Sequence, residues 1–186
     1  MMANQRRSIR LNGYNYSQEG LYFVTICAKD KLCLFGSVIN DEMVLNDTGK
    51  IAYDCWIEIP RHYQNVVLHE FVIMPNHIHG ILEIVMPSSV GVEYFRPDSE
   101  DKHSMNNSED IRVENIRPLQ QRPNCKSGAI GAIIRGFKIG ITKQIGYSIW
   151  QRNYYEHIIR NDESHRNITE YIYENPKNWI KDDYYT

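Results

Sequence analysis

The sequence predicts an α+β fold, a ferredoxin-like antiparallel sheet with helices packed on it. Three observations carry this. β-Branched and aromatic runs alternate with segments whose apolar residues recur at helical spacing. A hairpin signal follows the first strand directly. The order is strand, hairpin, helix, one long bent or two separate strands, helix, strand, helix, which fits a split β-α-β core. With 186 residues, 42% of them hydrophobic, the chain is long enough for one compact domain and too short for two.

The first strand is LYFVTICA, residues 21–28. LFGSVINDEMVLND then reads as a hairpin around the turn pair Asn40-Asp41. In the next segment Asp47 or Thr48 is placed to cap a helix. Its apolar side carries Ile51, Ala52, Cys55, Trp56 and Ile59 before Pro60 limits it. VVLHEFVIMPNHIHGILEIV is strand material that bends or breaks near Pro75. Residues 87–126 are rich in Ser, Asn, Pro and acids, the composition of a mobile insertion within a single domain spanning 1–186. Ile130, Ile133, Ile134, Phe137 and Ile141 then form a helical stripe, although several glycines lower the intrinsic helicity. Residues 148–160 are strand-like. Asn161-Asp162 opens the last helix, and Pro176 ends it by pushing the preceding residue out of helical geometry.

The net charge of −2 does not advertise nucleic-acid binding, but its distribution is uneven. Residues 86–115 hold seven acids against three bases, whereas 117–166 hold nine bases against three acids. Such a basic segment suits a phosphate-binding face or a solvated helix side. Arg6, Arg7 and Arg10 add a short basic arm or a frayed terminus. No secretory leader and no membrane-length apolar run is evident, so a cytoplasmic protein that makes no membrane contact is expected. The four cysteines show no Cys-x-x-Cys pair, which argues against a zinc knuckle or a disulfide framework. They are read as reduced, with Cys27 and Cys55 in the core.

His77 and His79 stand inside the apolar run FVIMPNHIHGILEIV. Alternation along a strand projects both imidazoles from one face, half of a metal site or of a phosphate-activating site. Two hydrogen-bonded core histidines are the competing explanation. The final helix offers the second half, because Tyr171 and Asn175 are four residues apart and share a face. A tyrosine hydroxyl can attack a phosphodiester and become a phosphotyrosine ester. A cation held by two histidines and an amide oxygen beside that hydroxyl would neutralise the phosphate and assist a phenol whose ordinary pKa is about 10. In a chain with thirteen tyrosines, helix-to-sheet packing is the plain alternative for Tyr171.

The phrases MPNHIHGILEI and WQRNYYEHIIRNDESHRNITEYIYENP, in that order, closely resemble the single-tyrosine HUH transposases, in particular the REP-associated tyrosine transposase branch. The matching features run from Tyr22 to Pro176, apart from the insertion. The resemblance implies a ferredoxin-like fold, recognition of single-stranded DNA beside a foldback hairpin, and a divalent metal, Mg²⁺ or Mn²⁺. Carried onto this chain, it makes His77 and His79 metal ligands and Tyr171 the nucleophile. Attack by Tyr171 would leave a 5′-phosphotyrosine link and a free 3′-OH, and a 3′-OH from another strand could reverse the step. Insertion-sequence relatives have glutamine four residues after the tyrosine, where this chain has the shorter Asn175.

Tyr154 and Tyr155 are rival nucleophiles in a strand-like segment. Arg135, Lys138, Lys143, Arg152, His157 and Arg160 are the DNA-contact candidates. His157 could instead be a structural partner of Arg160. Trp150 is expected to pack under the last helix rather than stack on a base. The resemblance is compatible with a monomer or a homodimer. The main alternative function is hairpin-DNA binding without cleavage. A small-phosphoester hydrolase would require further metal ligands at readable spacing.

Overall fold

The computed structural model describes residues 18–85 and 129–185. The insertion expected at 87–126, the arginines at 6, 7 and 10, and Cys125 lie outside the described residues.

β1 (Gly20–Cys27) is central in a four-stranded antiparallel sheet. It pairs on one side with β5 (His77–Ile84) and on the other with β6 (Tyr155–Ile159), while β4 (Val66–Ile73) borders β5. The order β4-β5-β1-β6, with α1 (Asp47–Ile57) and α3 (Ile130–Ile145) as connections, is the ferredoxin-like arrangement. β2 (Gly36–Ile39) and β3 (Glu42–Leu45) form the separate hairpin. Its turn residues Asn40 and Asp41 take φ of 52° and 63°, a conformation that Asn and Asp tolerate.

Strand alternation sorts the sheet into two faces. Tyr22, Val24, Ile26, Ile78, Leu82 and Ile84 join the α1 and α3 stripes in the larger core. Ile130, Ile133, Ile134, Phe137 and Ile141 are all buried there, as their spacing predicts. Gly80 lies directly beneath the Trp56 indole, where any Cβ would collide with the ring, so this strand position needs glycine. On the opposite face Phe23, Ile81 and Ile159 form a smaller cluster with Ile172 of α4 (Asp162–Glu174). That face also carries His77 and His79.

Several local expectations shift. The α1 cap is Asn46, not Asp47 or Thr48; its side-chain oxygen accepts from the Gly49 N–H at 2.9 Å. Pro60 occupies the first turn of the short helix α2 (Ile59–His62), where a missing N–H costs little. Met74–Asn76 separate β4 from β5 as two strands. Only 155–159 of the strand-like stretch at 148–160 forms a strand. Asn153 takes φ of 72°, which interrupts the extended backbone, and Trp150 makes only an isolated bridge to Ala28. Trp150 packs on Phe35 and Phe137, beneath α3 and not beneath the last helix, and its indole N–H donates to the Lys138 carbonyl. Cys27 and Cys55 are half-buried at the core margin and Cys33 is exposed. Among the described residues no helix is long and apolar enough to cross a membrane.

Candidate functional site

β5 brings His77 and His79 side by side, with ring centroids 4.4 Å apart and both side chains fully enclosed. Register places Thr25 of β1 opposite His79, and Thr25 Oγ1 lies 2.9 Å from His79 Nδ1. Asn76 performs the same service for His77. Its amide NH₂ donates to the carbonyls of Lys31 and Tyr184, which orients its Oδ1 to accept from His77 Nδ1–H at 2.9 Å. The His77 tautomer is thereby set, and Nε2 is left with its lone pair and no partner, although it is buried.

α4 carries Tyr171 over the same face. Asn161 starts the helix by accepting from the Ser164 N–H, and Pro176 follows its end. One helical turn after Tyr171, at the helix C-cap, stands Asn175. The Tyr171 hydroxyl is 3.1 Å from His79 Nε2, and its ring meets Phe23 edge-on. Asn175 is buried; its NH₂ donates to Asp182 Oδ2 at 3.0 Å, and its Oδ1 has no hydrogen-bond partner.

Asp182 was not singled out from the sequence. It follows the short turn Trp179–Lys181, and donor atoms of His77, His79 and Asp182 all lie within 4.8 Å of one another. Tyr184 closes the group from above, its ring 4.5 Å from His77 and 5.9 Å from His79, while Trp179 packs 5.9 Å from His77. The nearest sequence signal is the acidic pair Asp182-Asp183 in an irregular tail, which reads as ordinary surface charge.

The electrostatics follow from enclosure. Burial holds His77 down at about 4 despite the opposing Asp182 carboxylate, with Lys31 adding to the depression. Burial, then the neighbouring His77, keeps His79 well below the usual imidazole range. Both rings are neutral donors near pH 7. Burial first, then Asp182, pushes the Tyr171 phenol up to about 12, with the Asn175 amide pulling the other way. A buried pair of neutral imidazoles, a carboxylate and an amide oxygen without a partner is a donor set that fits a divalent cation.

The remaining sequence candidates fall into separate places. Arg135, Lys138, Lys143 and Arg152 line one groove of about 520 Å³ with Trp150. α3, which supplies three of them, covers the opposite face of the sheet from α4. The Lys138 ammonium is engaged within it, donating to the carbonyls of Gln151 and Asn153. His157 and Tyr155 instead face the Tyr171 side, where they line a depression with Phe23 and Asn161. Arg160 is exposed at the end of β6. Tyr154 bonds Glu156 and packs against the larger core, on the other face from the histidines.

No family model matches the chain. An uncharacterised protein of Haemophilus influenzae is 43% identical over 98% of this chain and 94% of its own length. A second protein of that organism, named "Putative REP-associated tyrosine transposase", is 25% identical over 94% of this chain and 76% of its own length. A solved structure of a REP-associated tyrosine transposase bound to a REP hairpin shares the fold, with a TM-score of 0.52 at 20% identity. That match covers 97% of this chain and 77% of the other. A sequence relationship over nearly the whole chain and a shared fold agree with the motif reading, and the chain is similar to REP-associated tyrosine transposases.

Proposed function

We propose that this protein is a REP-associated tyrosine transposase that cleaves and rejoins single-stranded DNA through a phosphotyrosine formed on Tyr171, in transposition or in the processing of repeat elements. The observation that carries the reading is the Tyr171 hydroxyl held on the His79 ring, beside His77 and Asp182. His77 Nε2, His79 Nε2, Asp182 and Asn175 Oδ1 would hold a divalent cation, Mn²⁺ or Mg²⁺. Once bound, that cation would draw charge from the scissile phosphate and ease loss of the phenolic proton.

The chain's own groups account for the rest. Asn76 and Thr25 fix the imidazole orientations, so that no reorganisation is needed when DNA arrives. The Tyr171 oxygen forms its bond to phosphorus as the bond to the 3′-oxygen breaks, which leaves the 5′ end on the protein and a 3′-OH free. Attack by a 3′-OH on the phosphotyrosine runs the step backwards and rejoins DNA. His157 and Tyr155, on the tyrosine side of the sheet, would meet the strand entering the site. Arg135, Lys143, Arg152 and Arg160 are proposed contacts for the DNA backbone. The hairpin in the solved relative supports a foldback DNA partner.

The test uses end-labelled single-stranded DNA carrying hairpins from around the protein's own gene. Expected with Mn²⁺ are a free 3′-OH fragment and a protein-linked 5′ fragment, both lost on chelation. Tight hairpin binding with no cleavage would favour the binding-only alternative.

A further inference from the structure

We propose that His69, Glu70 and His165 form a second cation site, of the kind that takes Zn²⁺, joining the first turns of α4 to the sheet-edge strand β4. It shares no residue with the site beneath Tyr171.

The backbone creates it. The pairing of β4 with β5 shifts register between Leu68 and Phe71. Leu68 and Phe71 both pack into the larger core, so the bulge turns the two residues between them, His69 and Glu70, toward the α4 side. His165 comes down from the first turn of α4 to meet them, its ring 5.7 Å from that of His69. One donor atom from each of the three residues lies within 4.8 Å of the others.

The donors are arranged as ligands. His69 Nε2 is 2.9 Å from Glu83 Oε2, a carboxylate–imidazole pairing that orients the ring and leaves Nδ1 for a cation. Glu70 Oε2 is 3.4 Å from the Thr169 hydroxyl. His165 Nε2 is enclosed, makes no hydrogen bond, and stops 4.0 Å short of Glu70 Oε2. That gap is too wide for a hydrogen bond and slightly wider than the roughly 3.4 Å that separates two ligands of a tetrahedral zinc with bonds of about 2.1 Å. Two imidazoles and one carboxylate are a donor set characteristic of zinc. The His69, Glu70 and His165 side chains, 27 to 30% exposed, leave a position for water.

Such a site has a structural consequence. Ile172 is the one helical residue of α4 that is fully buried, so the helix bearing Tyr171 has a small apolar anchor. A cation at His165, six residues or about 9 Å before Tyr171 along the axis, would hold the other end.

The experiment measures Zn²⁺ equivalents bound by the chelator-treated full chain, by calorimetry and elemental analysis. Replacing both His77 and His79 by Gln should leave one equivalent bound, and adding His165→Gln should weaken it at least tenfold. Zn²⁺ should raise the Tm of the His77/His79 variant, and Glu70→Gln should abolish that rise. In the otherwise unaltered chain, His165→Gln alone should lower the count from two equivalents to one, which covers the case of a misfolded double variant. Zinc binding unchanged by His165→Gln, or no zinc bound once His77 and His79 are replaced in a folded protein, would overturn the proposal.

Discussion

The Tyr171 hydroxyl rests 3.1 Å from Nε2 of His79, the histidine whose ring joins the His77 and Asp182 donors. With His79 Nδ1 engaged by Thr25, Nε2 is the ring nitrogen left to meet Tyr171 or a cation. A cation and the tyrosine therefore compete for it. Tyr171→Phe should abolish any DNA adduct while binding Mn²⁺ about fivefold more tightly, since one hydrogen bond worth about 1 kcal/mol no longer has to be broken. Calorimetry on the variant checks this; weaker Mn²⁺ binding would mean that the phenol oxygen is itself needed as a ligand.

Asp182 is the charged member of the donor group. Asp182→Asn should reduce Mn²⁺ affinity and cleavage by at least roughly 10- to 100-fold, the range seen when even a carboxylate that only supports a ligand is lost. It should also bring the Tyr171 phenol down from about 12, because Asp182 is the largest charge raising it. Ultraviolet titration of the tyrosines reads the second effect separately from the first.

Asn76 fixes the tautomer of His77 through three hydrogen bonds. Asn76→Ala should cost metal affinity on a similar scale, although Asn76 donates nothing to the cation. An affinity equal to that of the unaltered protein would show that the His77 ring is oriented by packing on Trp179 and Tyr184 alone.

Stability should depend on pH through the buried imidazoles. His77 sits at about 4 in the folded chain against an ordinary 6.5, so between these values the unfolded chain binds more protons. Stability of the metal-free protein therefore falls as pH drops from 6.5 toward 4, by up to about 1.4 kcal/mol per pH unit for each such histidine. Urea unfolding at stepped pH should show this slope, and His77→Gln should flatten it.

Gly80 sits between His79 and Ile81 under the Trp56 ring. Gly80→Ala should destabilise the fold by about 1 to 3 kcal/mol through overpacking, measured as a lower urea midpoint with unchanged slope. Smaller losses would mean that α1 can slide outward without penalty.

Much of this architecture is legible in the residues. The stripe from Ile130 to Ile141 survives its glycines because burial against the sheet outweighs helix propensity. Strand alternation alone puts His77 and His79 on one face. Other features leave no periodic trace. The bulge at His69 and Glu70 is one inserted residue in an apolar run, and it puts two neighbouring side chains on one face, which strict alternation does not allow. Asp182 reaches the histidines through an irregular tail beyond Pro176, where neither helical nor strand spacing constrains the chain. Trp150 lies on the other face from the one expected because Asn153 turns the backbone before β6 begins.

Tyr171 is proposed as the nucleophile of a metal-assisted DNA break. The most direct test of this role is peptide mapping, by mass spectrometry, of the protein after reaction with hairpin-bearing single-stranded DNA and Mn²⁺. A nucleotide mass on the peptide containing Tyr171, absent with chelator and in Tyr171→Phe, is the predicted result. The same mass on Tyr154 or Tyr155, or cleavage that leaves no protein-linked DNA, would contradict it.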